Sequence, residues 1–287
     1  MKDKAFVLLQ YLLPRHWLTA LIWRIARIRH TGTKNFLITK FSSAFDVALD
    51  EVKLDVPDAF ATFNDFFIRE LHDEARPVDD DADSIASPVD GTVSFAGPIR
   101  GDSIFQAKGI DYSLGDLLAT DIEEAEHYVD GSFATIYLAP YNYHRVHAPV
   151  ASELVAARYV PGDLFSVNEA TVASLAGLFR RNERLVMHLR TEFGPAVLIF
   201  VGALNVGSIS TPWTGEIRPR KAGVVDALDL SRHPTSVKKG DLLGWFNMGS
   251  TVILLLPKGV CAWNDDLKPG KTLKMGVAIG ELKSARE

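Results

Sequence analysis

Lys239-Gly240-Asp241-Leu242-Leu243-Gly244-Trp245-Phe246-Asn247-Met248-Gly249-Ser250-Thr251 runs directly into Val252-Ile253-Leu254-Leu255-Leu256. Lys-Gly-Asp is a turn signal, and the residues after it alternate as a strand does. The stretch therefore reads as a strand, a tight bend at Gly249 and a second strand. Gly249 carries no side chain, so its carbonyl is open to approach and its backbone is free to twist. The Ser250 hydroxyl stands one residue beyond that carbonyl and can reach it through a five-membered ring. Taken alone, Gly-Ser-Thr is more often a plain turn than a reacting bond, and both readings stay open.

Working outward, the chain from residue 87 onward is dominated by short strand-like runs. They cover Thr92–Ala96, Phe133–Leu138, Glu153–Val160, Arg184–Arg190, Ala196–Val201, Val206–Ser210 and Thr251–Leu256. Asp90-Gly91, Pro161-Gly162, Gly194-Pro195 and Pro257-Lys258-Gly259 punctuate them. Helical patterns are expected near 43–52, 61–70, 113–120 and 168–178. Strands bunched together with helices mostly in front predict an α+β fold, not alternating βαβ units. The expected core is a mostly antiparallel, sandwich-like sheet carrying the chemistry over residues 85–287. Residues 1–75 form an amphipathic helical region before it, and the acidic stretch Arg76–Ser84 reads as a linker or a solvated loop. At 287 residues, 47% hydrophobic and 23% charged, the chain has the material for a real core. Its single cysteine, Cys261, excludes an internal disulfide framework and a zinc–cysteine site.

Two further segments carry residues fit for chemistry. Tyr141-Asn142-Tyr143-His144-Arg145-Val146-His147-Ala148-Pro149 holds two imidazoles three residues apart. On an extended backbone such residues point to opposite faces, and acidic partners at ligand spacing are missing, so no metal is expected. Imidazole is the usual acid/base group near neutral pH, though each histidine could equally be a packed one. Ser87-Pro88-Val89-Asp90-Gly91-Thr92 contains a strong Asp-Gly turn that needs no function. Asp90, His147 and Ser250 are nevertheless the residue types of an orienting acid, a base and a nucleophile. Only geometry can make them a triad.

The net charge of −5 hides an asymmetry: residues 1–40 hold eight Lys or Arg against Asp3 alone, which is +7. The remainder carries 23 basic and 35 acidic residues, which is −12. The head is also apolar. Phe6 to Leu13 precede Pro14, which suits the first turn of a second helix. There Leu18, Leu21, Ile22, Ile25 and Ile28 fall on one stripe, with Arg24 and Arg27 on the flank and Trp17 and Trp23 at its edges. No run reaches the roughly 18 to 20 uncharged apolar residues needed to span a bilayer. Two amphipathic helices packed on the body, or a helix lying in the headgroup layer of an anionic membrane, both fit this pattern.

Together these segments resemble the bacterial-type phosphatidylserine decarboxylases. The likeness rests on Leu9-Gln10-Tyr11-Leu12-Leu13-Pro14, Phe63-Asn64-Asp65-Phe66-Phe67-Ile68-Arg69, Gln106-Ala107-Lys108-Gly109 and Tyr143-His144-Arg145-Val146-His147. It continues in Pro161-Gly162-Asp163-Leu164-Phe165-Ser166-Val167-Asn168, Arg181-Asn182-Glu183-Arg184, Thr191-Glu192-Phe193-Gly194-Pro195 and the Gly-Ser-Thr site. Met248 stands where most relatives carry Leu, a volume-conserving difference. The resemblance implies a proenzyme that cuts itself between Gly249 and Ser250, giving a β chain of residues 1–249 and an α chain of residues 250–287. Asp90 would orient His147, and His147 would take the proton of Ser250. The resulting ester would eliminate and hydrolyse, leaving a covalent pyruvoyl group in place of Ser250. That group would bind phosphatidylserine as a Schiff base and release CO2, His144 returning the proton, to give phosphatidylethanolamine. Ser166 and Asn168 are implied to line the headgroup pocket, while Arg180, Arg181 and Arg184 are candidates for the lipid phosphate or an anionic membrane and equally fit a solvated basic helix end. The resemblance further implies a homodimer peripheral to the cytoplasmic face of the inner membrane, with no nucleic-acid partner.

Two rivals remain on the residues alone. A serine hydrolase would use the same three side chains, but Val252 stands where the second glycine of a nucleophile elbow belongs. A non-catalytic membrane-associated module would use Gly249-Ser250 only as a hairpin turn.

Overall fold

The computed structural model describes residues 2–107, 110–119, 122–205 and 207–283. Lys108 and Gly109 of the Gln-Ala-Lys-Gly motif, Val206 of one expected strand and the last four residues of the expected α chain lie outside them.

A large antiparallel sheet forms the centre, as the strand-rich sequence predicts for an α+β fold. In space its strands run Asp226–Ala227, Ser152–Val160, Arg184–Thr191, Gly194–Val201, Thr251–Leu256, Ser132–Tyr137, Gly91–Pro98 and Thr272–Leu273; Ser236–Val237 also pairs with Ser152–Val160. Thr251–Leu256 is central: Val252 faces Phe200 on one side and Ile136 on the other. All six of its residues are buried, which explains its unbroken apolar run. A second sheet contains Gly215–Ile217, Ile209–Thr211, Leu242–Phe246 and Arg145–His147 in that order. The two sheets meet at Gly244, where an added Cβ would lie 2.6 Å from the Ser210 carbonyl oxygen and 3.1 Å from the Phe200 ring. Only glycine allows that approach.

The strands on either side of Gly249 therefore belong to different sheets. Leu242–Phe246 ends in one, the chain bends through residues 247–250, and Thr251–Leu256 begins in the other. The hairpin reading of this bend is overturned: a hairpin would have paired the two strands with each other.

The helical region packs in front and builds a second core from Ala26, Ile38, Val47, Val52, Phe60, Phe63, Phe66, Phe67 and Leu71, joined by Tyr143 and Met275. Met248 packs at its edge, so the 247–250 bend lies at the seam between the two cores. Phe63–Phe67 is a short helix because the Thr62 hydroxyl accepts from Asp65 N at 3.1 Å and three phenylalanines bury their rings. The helix expected over 43–52 is instead the end of Thr31–Phe45, which stops at Asp46 in a left-handed conformation, φ 50°. An aspartate tolerates that conformation better than a branched residue does. The pattern over 168–178 divides into Glu169–Val172 and Leu178–Arg181, separated by Gly177 at φ 64°.

The head forms helices Lys2–Leu12 and Arg15–Ala26. Their inner faces are fastened to the body. Gln10 donates to Thr171 Oγ1 at 3.0 Å and accepts from Ser166 N at 2.9 Å, and the Arg15 guanidinium grips Asp163 at 2.7 Å. Their outer faces leave Leu8, Leu12, Trp17 and Leu21 exposed. The packed reading of the head thus holds for the inner faces, and the outer faces stay exposed and apolar. No helix among the described residues is long and apolar enough to cross a membrane.

Candidate active site

Backbone pairing brings the expected residues to the seam. Leu138 N donates to the Ser250 carbonyl at 2.7 Å, fixing Ser250 at the mouth of the large sheet. Phe246 N donates to the His144 carbonyl at 3.1 Å, which sets His144 beside the end of the preceding strand. His147 N donates to the Pro88 carbonyl at 2.8 Å and so draws the histidine segment to the loop carrying Asp90.

Ser250 is wholly buried, and its Oγ has no hydrogen-bond partner. Buried hydroxyls are normally paired, so an orphan here is a reactive candidate. The neighbouring Gly249 faces His144: a Cβ added at 249 would sit 3.2 Å from the His144 Nε2. His144 is itself completely buried, its ring against Phe67 with centroids 4.1 Å apart, and both ring nitrogens lack partners. Burial, reinforced by the Arg69 guanidinium, pushes its pKa down to about 3, so the imidazole is neutral at physiological pH.

His147 is engaged elsewhere. Its Nδ1 lies 2.8 Å from the Gly240 carbonyl and its Nε2 3.2 Å from the Tyr143 hydroxyl, with the Tyr143 ring stacked on it. Burial holds its pKa below the ordinary value, partly offset by the Gly240 carbonyl. Burial also pushes the Tyr143 phenol up to about 12, so it remains protonated. Asp90 is buried and clamped by Arg76, and its Oδ1 also accepts from Met275 N at 2.8 Å. Asp90, His147 and Ser250 thus share one region without forming a hydrogen-bonded chain, and His144 is the imidazole set against Gly249.

A cleft of about 320 Å³ opens beside this centre, lined by Ser166, Asn168, Gly249 and Met248 with Phe41, Phe45 and Phe67 among its apolar walls. Both expected headgroup residues therefore reach the same opening as Gly249. Asn168 Oδ1 also caps the helix Glu169–Val172, accepting from Thr171 N at 3.0 Å. The three candidate arginines do not line the cleft. Arg184 is buried and donates to the carbonyls of Leu117, Asp116 and Arg180 at 2.5 to 2.8 Å, which is a structural role. Arg180 pairs with Asp116 at 3.4 Å, and Arg181 donates to the Ala176 carbonyl.

Sequence reading missed Arg69 and Arg76. Arg69 is buried, donates to the Tyr141 carbonyl at 2.9 Å and keeps Nε and Nη1 unpartnered. Arg76 opened a stretch that reads as a linker. Its only local mark is a cation at the head of an acidic run.

Comparison with known proteins gives the family of the chain. The sequence profile described as phosphatidylserine decarboxylase matches residues 63–281. The chain belongs to that family. A second profile, described only as PSD, matches residues 5–46, so the head belongs to the likeness too. A phosphatidylserine decarboxylase proenzyme of Saccharophagus degradans is 46% identical over 284 residues, covering 99% of both chains. Proenzymes of the same description from Alcanivorax borkumensis and Psychrobacter cryohalolentis are 45% and 44% identical, covering 98% of this chain and 97% and 99% of theirs. Membership in this family supports a decarboxylase acting on phosphatidylserine.

Proposed function

We propose that the chain decarboxylates phosphatidylserine to phosphatidylethanolamine and CO2, using a pyruvoyl group made from Ser250 when the Gly249–Ser250 bond breaks. The observation that carries this reading is the buried, unpartnered Ser250 Oγ next to a glycine whose open face meets a neutral, unpartnered imidazole. A pyruvoyl group suits this place: it replaces an orphan hydroxyl and opens, past Gly249, onto a cleft with apolar walls.

In the cleavage step the Ser250 hydroxyl gives its proton to His147, Oγ bonds to the Gly249 carbonyl carbon, and His147 passes the proton to the Ser250 nitrogen as the C–N bond breaks. Loss of the Ser250 Cα proton then expels the Gly249 carboxylate, and hydrolysis of the dehydroalanine releases ammonia. His147 must exchange its Tyr143 contact for Ser250 to act so, and Asp90 favours the imidazolium that forms. Once present, the pyruvoyl group supplies the electron sink for the pair left when CO2 departs. His144 returns the proton to that carbon, and the negative charge of bound substrate raises its basicity. Ser166 and Asn168 receive the polar headgroup. A second reading is favoured by the 3.2 Å approach to His144 Nε2: His144 itself serves as the base for cleavage.

Such a substrate stays in a bilayer. The exposed apolar outer face of the head helices and the +7 charge of residues 1–40 support peripheral docking at the anionic cytoplasmic face of the inner membrane. Intact mass measurement on purified protein tests the proposal. It should find a 38-residue fragment beginning with a blocked residue at position 250. A single full-length chain that still turns over phosphatidylserine would overturn it.

A further inference from the structure

A second, smaller cavity of about 280 Å³ lies away from the cleft, lined by His16, Thr19, Ala20, Gly207, Arg218, Pro219 and Arg220. It stands between the helix Arg15–Ala26 and the loops of the second sheet. The carboxylates paired closest to its lining are engaged by other groups. Asp163 is held by Arg15, Asp226 by Arg220, and Glu216 by Arg27 and the Trp23 indole N–H. Two cations are left over. The Arg218 guanidinium makes no ion pair among the described residues and lies over the Trp23 ring, 4.1 Å from its centroid. Lys221 is near enough to act electrostatically on His16. His16 lines the cavity with an Nε2 that is buried and has no hydrogen-bond partner; burial lowers its pKa, so it adds a polar wall and no charge. A cavity edged by two cations without ion pairs among the described residues, its nearest carboxylates held by other groups, suits an anion.

The helix itself says which anion. His16, Thr19, Ala20 and Trp23 follow helical spacing on one face, while Trp17, Leu21 and Ile25 form an exposed stripe about 150° around the axis. When that stripe is immersed, the cavity side lies across the helix and faces the polar headgroup layer. We propose that this cavity binds the phosphodiester of an anionic phospholipid, apart from the catalytic cleft, and so fixes the depth and rotation of the docked enzyme. The proposal rests on the membrane-docking reading given above. It has a further consequence, since Thr19 Oγ1 accepts from Asn205 N at 3.1 Å and Asn205 lines the catalytic cleft. An occupied cavity would brace a wall of that cleft.

Sedimentation of the full chain with phosphatidylcholine vesicles, with and without phosphatidylglycerol, tests the site. Phosphatidylglycerol carries the phosphodiester and is not decarboxylated. Arg218→Lys keeps the charge but loses the planar fork and its stacking on Trp23. We expect it to lose about fivefold or more of the gain due to phosphatidylglycerol while binding neutral vesicles as the parent does. Arg24→Lys, on the flank outside the cavity, should lose none. Equal binding by Arg218→Lys and the parent would overturn the site and leave only a diffuse field. Displacement of the Arg218-dependent gain by millimolar inorganic phosphate would also overturn it, because the ligand would then be a free ion. If the parent binds neither vesicle, the docking reading fails first, a result distinct from both.

Discussion

Arg76 holds Asp90 with both arms of its guanidinium, Nε to Oδ1 at 2.7 Å and Nη2 to Oδ2 at 2.6 Å, and its Nη2 also reaches Glu51 at 2.8 Å. The pair is nearly closed to solvent, so removing one partner leaves a buried charge alone. Arg76→Ala should therefore cost about 3–5 kcal/mol of stability, read as a lowered denaturant midpoint. Arg76→Lys retains the charge without the fork. It should slow the appearance of the two fragments while the chain stays folded; an unchanged rate would show that the orientation of Asp90 does not matter to cleavage.

Ser250→Ala should give an intact, inactive chain. Because Ser250 Oγ has no partner, its loss should leave stability within about 1 kcal/mol of the parent. Fragments on a denaturing gel of this variant would rule out the ester route.

The two histidines should separate. His147→Ala should block fragment formation, whereas His144→Ala should still cut itself but lose phosphatidylserine turnover. If His144→Ala stays whole and His147→Ala cuts, the base of the cleavage step is the imidazole facing Gly249.

Glu183 gives a pH signature independent of catalysis. It is fully buried, accepts from the Tyr159 hydroxyl at 2.5 Å, and burial raises its pKa from 4.5 to about 7. Its protonated form is favoured in the folded state, so its contribution is complete below pH 4.5 and is lost as pH rises toward 7. Glu183→Gln removes that loss. Its stability relative to the parent should climb between pH 4.5 and 7, by up to about 1.4 kcal/mol per unit. His144 acts oppositely: its pKa is depressed, so stability falls as pH drops below 6.5 toward 3. Denaturant melts at pH 5 and 8 separate the two, and parallel curves for parent and Glu183→Gln would contradict the first.

Membrane docking is better tested by points than by truncation, since removing residues 1–30 would also cut the ties of Gln10, Arg15 and Thr19 to the body. Trp17 is 80% exposed and Leu12 78%. Trp17→Ser and Leu12→Ser should leave the melting temperature unchanged and weaken vesicle binding about tenfold each, the equivalent of losing one buried apolar side chain. Undiminished co-sedimentation would point to a different docking face.

The strands were readable because their periodicity and Gly/Pro punctuation are local. Thr251–Leu256 declared itself through six apolar or β-branched residues between turns, and its central place follows from burial on both faces. The stop of the third helix at Asp46 was not readable, because a single left-handed residue leaves only a weak mark. The site was legible as residue types, less so as contacts. Gly249 and His144 do converge beside Ser250, and Ser166 and Asn168 share a cleft with Gly249. The Arg76–Asp90 clamp depends on burial and on a loop path that no short pattern encodes. The same holds for His147, whose partners Gly240 and Tyr143 are chosen by sheet pairing rather than by spacing.

The position of Thr251–Leu256 bears on what becomes of a cut chain. A break before Ser250 would release a new terminus at the start of a strand paired along both edges, to Val197–Val201 and to Ser132–Tyr137. The short piece would also keep Ala278–Leu282, which is zipped to Ser84–Ala86. Two polypeptides would then remain one cooperative body, separable only by unfolding the sheet. Covalent continuity would be dispensable to the architecture, and dilution alone should never part the halves.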